Sequence, residues 1–156
     1  MAYSTVDGIS KKIDQRILIQ LLDDESRQQD LIDLTDPADP VVERFSQIAN
    51  EVAEGINDSL RGRYKLPLSQ TSTTIQSISD DMVIYNIKKR RMRDSMPESE
   101  QKIFNDSTKQ LQQIQRGETT LDLEPAAPDT QGISGEIRVN KTASDRYFSD
   151  NFWKMF

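Results

Sequence analysis

The chain of 156 residues contains no cysteine and no histidine. The first absence excludes disulfides, thiol chemistry and zinc sites of the usual kind. The second removes the side chain that most often acts as a general base. Apolar residues make up only 35% of the chain, and its mean hydropathy is −0.70. That is low for a compact globule of this length, and it implies either a small core or a segment that folds only against a partner. No apolar run approaches the roughly 20 residues that span a bilayer. The longest, Ile17 to Leu22, is interrupted by Gln20. Residues 1–8 lack a basic stretch followed by an apolar one, so no signal peptide is expected. Positive charge is also in deficit. A net charge of −6 and a pI of 4.7 argue against general nucleic-acid binding, which needs a basic surface.

What the chain does have is helical periodicity. Val41, Phe45, Ile48, Val52, Ile56, Leu60 and Tyr64 recur at steps of three or four residues and define one apolar stripe. Asp39 followed by Pro40 is a good N-cap and first-turn pair to open that helix. Pro67 closes it, because proline lacks the amide and pushes the preceding residues towards extended geometry. Leu66 and Leu68 then make an apolar corner where a surface loop would be polar.

Four further helices are expected. Ser4 and Asp7 suit the start of a short first helix. Asp14 can cap a second, with Ile17, Leu18, Leu21 and Leu22 as its buried face. Residues 23–39 read as an acidic loop with one apolar piece, Leu31 to Leu34. Ile75, Ile78, Met82, Ile84, Tyr85 and Ile87 mark a fourth helix running to about Met92. Ser95 and Glu98 form a capping box for a fifth, in which Phe104, Ser107, Leu111 and Ile114 share a face and Gly117 ends the helix.

The character changes after Leu123. Glu124 to Ser144 holds Pro125, Pro128, Gly132 and Gly135 and few large apolar residues, as a linker or extended arm would. Ile133, Ile137 and Val139 partly alternate, so the arm could also add as a strand to a partner. Tyr147, Phe148, Phe152, Trp153, Met155 and Phe156 then crowd ten residues. Left in water, such a cluster invites aggregation. An anchor that docks in a groove accounts for it better than a tail folding back onto its own core. The chain thus divides into a helical core, 1–123, and an extended C-terminal docking arm, 124–156.

Lys88-Lys89-Arg90-Arg91-Met92-Arg93 is the strong basic cluster. A solvated last turn favoured by the helix dipole is the simpler reading, and contact with an acidic surface or with DNA passing nearby is the other. Arg61 and Arg63 could extend that patch or pair with Asp58 and Glu54 at helical spacing. Asp23 with Asp24 and Asp80 with Asp81 are paired carboxylates. With no histidine, phosphate loop or metal motif beside them, none of these reads as a catalyst, and Asp80 and Asp81, on the polar face of the fourth helix, read as solvated charge. Gly55, inside the third helix, either admits a close neighbour or is a tolerated surface glycine.

The segment Ile56-Asn57-x-x-Leu60-x-x-Arg63-Tyr64-x-Leu66-Pro67-Leu68 resembles the hallmark of the Mu-like phage head–tail connector family, small helical neck proteins whose helix ends in an Arg-Tyr-x-Leu-Pro-Leu corner. Met1 to Asp7, then Leu18 to Leu21 and Asp23, are similar to that family's opening. The fourth and fifth helices with Arg116-Gly117 match its order, and Arg146-Tyr147-Phe148-Ser149 is similar to its closing motif.

The resemblance implies an all-α connector core of four to five helices in a structural virion protein without enzymatic activity or cofactor. Such a protein would form a ring, typically of twelve copies, beneath the portal and bridge it to the tail. Its partners would be the portal protein, neighbouring copies of itself and a downstream neck or tail protein, with DNA only as passing cargo and no membrane. It would be made in the host cytoplasm and end in the virion neck. Tyr147, Phe148, Phe152, Trp153 and Phe156 are the expected contacts to portal or adjacent subunit. Lys88, Lys89, Arg90, Arg91 and Arg93 are candidates for channel or portal contact, and Arg63, Tyr64, Leu66, Pro67 and Leu68 form the structural corner. A tail-completion or terminator protein, or a small binding or regulatory module using the aromatic tail, are the alternatives. A metal-binding enzyme is a more distant one.

Overall fold

Five α-helices follow one another along the described residues: α1 (Val6–Ser10), α2 (Gln15–Leu22), α3 (Pro40–Leu60), α4 (Thr73–Met92) and α5 (Glu98–Arg116). A 3-10 turn at Gln29–Leu31 interrupts the loop between α2 and α3. This computed structural model describes residues 2–70, 72–92 and 95–126. Among them there is no β-strand, and the all-α class expected from periodicity is what the chain adopts.

Helix α3 is the spine. Asp39 caps it as expected, its Oδ1 accepting from the amide of Val41 at 2.9 Å, with Pro40 in the first turn. Val41, Phe45, Val52, Ile56 and Leu60 are buried along one face, and Ile48 is half-buried. Helix α4 lies against that face and is itself covered by α5, α2 and α1. Its Ile75, Ile78, Val83, Ile84 and Ile87 meet Leu111 and Ile114 of α5, Leu18 and Leu22 of α2, and Ile9 of α1 in one core. Tyr85 stacks on Phe104 with ring centroids 4.1 Å apart, joining α4 to α5. Gly55 faces open space, so it is the tolerated surface glycine.

Several local expectations are corrected. Thr5, not Ser4, caps α1, accepting from the amide of Gly8 at 3.1 Å. Ser4 turns inward instead and shares a 2.7 Å hydrogen bond with Ser79. In α2 the buried set is Leu18, Ile19, Leu21 and Leu22, while Ile17 is 48% exposed. With apolar residues at five of eight positions, periodicity could not fix which side faces in. The capping box at Ser95 does not form. Helix α5 starts at Glu98 behind Pro97, without a side-chain cap. The cause is local: a proline at 97 disfavours helical geometry at Met96, so no cap at 95 could lead into the helix.

At the far end of α3 the corner is buried through Tyr64, while Leu66 and Leu68 are half-buried against the core. Leu66–Pro67 is a cis peptide. Tyr64 pairs with Pro125 in an isolated antiparallel bridge. The amide of Lys65 donates to the carbonyl of Glu124 at 3.1 Å, and that of Ala126 to the carbonyl of Arg63 at 2.8 Å. The Tyr64 hydroxyl accepts from the amide of Leu121 at 2.8 Å. The chain leaving α5 is therefore fastened to the end of α3.

Gly117 makes that return possible. It closes α5 at φ 83°, where a side chain is strained, and a Cβ there would lie 1.9 Å from Nη1 of Arg63. Gly117→Ala should therefore destabilise the protein by about 1–2 kcal/mol in denaturant melts. Combining it with Arg63→Ala should recover the steric part but not the backbone part, so the double variant should lose less stability than the two single losses summed.

Candidate functional site

The basic run ends α4, a placement the helix dipole favours. It is not simply solvated. Helix α2 carries no basic residue in its last turn, and its final carbonyls need donors from elsewhere. Arg91 supplies them: Nε donates to the carbonyl of Leu21 at 3.2 Å, and Nη2 to the carbonyl of Asp23 at 2.8 Å and to Asp24 Oδ1 at 2.6 Å. Arg90 pairs with Asp24. From α3, Arg44 donates to the carbonyl of Leu22 at 3.1 Å and pairs with Glu25 through both guanidinium nitrogens. Lys88 is turned the other way, onto Glu100 of α5. Lys89 is exposed, and Arg93 lies outside the described residues.

A second fork closes the loop itself. Arg27 places Nη2 2.9 Å and Nη1 3.2 Å from the two oxygens of Asp39, and its Nε is 3.3 Å from Asp23 Oδ1. Asp23 ends α2 and Asp39 starts α3, so one guanidinium joins two helix ends. The Arg27 hydrogen bonds hold Asp39 down to a pKa of about 2, against the opposing effect of burial and with help from the amide of Val41. Asp24 is lowered chiefly by its hydrogen bond to Arg90, and Glu25 by its bond to Arg44. The paired carboxylates Asp23 and Asp24 are thus committed to arginines.

Asp80 overturns the reading of a solvated face. It is 5% exposed, lies 3.4 Å from Lys12 through Oδ2, and leaves Oδ1 without a hydrogen-bond partner among the described residues. Asp81 beside it, half-buried, takes Lys12 at 3.1 Å and the Ser107 hydroxyl at 3.3 Å. Helix α4 is covered by four other helices, which leaves it almost no face for solvated charge. Lys12 makes the burial tolerable by supplying the opposite charge.

Arg61 pairs with Asp58 at 3.0 Å, one of the two arrangements its spacing allowed. Arg63 does not reach Glu54 and instead packs over Gly117, with its Nε buried and without a partner among the described residues. Arg27 and Arg44 emerge as organising charges that sequence reading missed, and Asp39, read there as the N-cap, is also the partner of Arg27 at the start of α3. Asp23 and Arg27 at helical spacing were a readable hint, whereas nothing local points from Arg44 to residues 22–25. The anchor residues Tyr147, Phe148, Phe152, Trp153 and Phe156 lie outside the described residues. Asp23, Asp24, Glu25 and Asp39 are each paired with an arginine, and no nucleophile–base pair is assembled among the described residues. None of their carboxylates group as three or more metal ligands.

Residues 3–139 match the family described as Bacteriophage Mu, Gp36. The chain belongs to that family. The resemblance read from the Arg-Tyr-x-Leu-Pro-Leu corner is upheld, and the Gp36 match takes in all five helices and the corner. Membership makes this a Mu-like phage structural protein. The match stops short of the aromatic anchor, which follows residue 139. No individual curated protein matches this Gp36-family chain.

Because Asp39 has a pKa of about 2 when folded against an ordinary 3.8, its contribution is full above the ordinary value and is lost as pH falls through the folded one. Stability should hold above about pH 5 and drop towards pH 2. Asp39→Asn keeps a competent cap but loses the charge, so its stability should fall less steeply over that window. Asp39→Ala should cost about 1 kcal/mol more at neutral pH for the missing cap. Urea midpoints measured across the pH range check both.

Proposed function

We propose that this chain is a head–tail connector, the head-completion adaptor of a Mu-like phage, forming a ring beneath the portal and bridging it to the tail in the virion neck. A twelve-fold ring is expected from the family resemblance. The observation that carries the reading is the Arg63-Tyr64-Lys65-Leu66-Pro67-Leu68 corner at the end of α3, inside a family match running from residue 3 to 139.

The geometry supports assembly rather than chemistry. The corner fastens residues 121–126 to the core. In this reading the core spans 1–123 and the arm 124–156, the arm's first residues, 124–126, lying along the corner. Tyr147, Phe148, Phe152, Trp153 and Phe156 form the anchor to the portal or to a neighbouring copy. Lys89 is the member of the basic run best disposed to reach a partner, since Lys88, Arg90 and Arg91 bond within the chain. A net charge of −6 disfavours association of free copies and suits a subunit that joins its ring only on a template.

The test mixes the full chain with the cognate portal and images the products by electron microscopy. A ring of copies on the portal is expected. Absence of any ring would end the connector reading. A chain truncated after Ala126 keeps the Lys65–Glu124 and Arg63–Ala126 hydrogen bonds, and it should bind the portal at least tenfold more weakly if the anchor does the docking.

A further inference from the structure

An open depression of about 940 Å³ lies between α2, the start of the loop that follows it, and the end of α4. Its apolar lining includes Ile17, Ile19, Leu21 and Met92, with Arg16 and Arg91 also at its wall. Ile17 is 48% and Met92 38% exposed, so the depression holds large apolar surface in contact with water. Ile19 is buried yet stands apart from the main core cluster.

We propose that in the free chain this depression receives the aromatic anchor of the same molecule, residues 147–156. The chemistry is complementary. Six large apolar side chains in that segment match the aliphatic and thioether lining, and guanidinium groups suit the faces of Trp153, Tyr147 and Phe148. Arg146 and Lys154 balance Asp145 and Asp150, so the segment brings no net charge to a wall whose Arg27 and Arg91 are already paired with Asp39 and Asp24, and apolar contact dominates the fit.

Reach favours the same molecule over a second copy. The described chain stops at Ala126, which bonds to Arg63 just past the end of α3. The depression sits at the other end, where Arg27 in its wall binds Asp39, the cap of α3. The 21 residues of α3 put these points roughly 30 Å apart. Twenty residues, 127–146, separate Ala126 from the anchor. A chain of that length without internal structure has an end-to-end distance of roughly 25 Å. Effective concentration is highest when linker length matches the span, so intramolecular docking outcompetes a second molecule at micromolar protein. The inference takes from the connector reading only its purpose, namely that a parked anchor keeps free subunits apart until a portal draws it out.

Trp153 is the single tryptophan, so its fluorescence in the full-length protein reports the anchor directly. Its emission should be blue-shifted and shielded from acrylamide, and unchanged on hundredfold dilution from micromolar concentration. Ile17→Glu, at an exposed position, should shift the emission to that of tryptophan in water and raise quenching severalfold. Ile103→Glu, equally exposed on α5 at 47%, should leave both unchanged. Circular dichroism of the two variants verifies that the fold persists. Solvent-like emission in the parent, indifference to Ile17→Glu, or loss of shielding on dilution (a neighbouring copy as host) would each overturn the proposal. A shielded Trp153 in a chain that forms no ring would spare the docking and sink the connector reading, and a ring built from subunits with exposed Trp153 would do the reverse.

Discussion

Helix α3 has a single apolar face about 30 Å long, and the rest of the structure is arranged to cover it. Removing that face from water is the main favourable term in a chain with so few apolar residues. Burial alone does not say where the helix begins, where it ends or which neighbours align with it. Those limits are set by directional contacts at its two ends. At one, Asp39 accepts from the amide of Val41 while Arg27 grips it and Asp23 together. At the other, Tyr64 is buried and the segment leaving α5 is hydrogen-bonded to it. With both ends fixed, α2, α4 and α5 meet the stripe in one register.

The distribution of charge follows from the same economy. An acidic chain collects its arginines where helix carbonyls lack partners, and those arginines then hold the carboxylates that follow α2. Pairs at Asp24 and Glu25 are partly exposed, so salt screens them and each contributes modestly. Their combined effect is positional. They keep the loop before α3 against the end of α4, and that contact forms the wall of the depression beside α2. Folding and the offered surface are thus coupled through one group of charges.

Much of the architecture was readable. The stripe on α3, the Asp39-Pro40 start, the Asp14 cap, the end of α4 at Met92 and Gly117 beyond α5 all depend on neighbours in sequence, and each was placed correctly. Apart from the Ser95 cap, which Pro97 prevents locally, three failures share a cause. Ser4, Ile17 and Asp80 were assigned from their own segments, but each is decided by a residue elsewhere: Ser79 for Ser4, the flanking helices for α2, Lys12 for Asp80.

The same division holds for function. Local order alone was enough to specify five helices and an apolar corner, and that corner was sufficient to find the family. Periodicity and capping act over three or four residues, so a linear text carries them in full. Which charges meet was settled only when the helices packed. Arg27 with Asp39, Arg44 with Glu25 and Arg91 with the end of α2 join residues 12 to 70 positions apart. No local rule links such partners, because hydrophobic burial brings them together without regard to their distance along the chain.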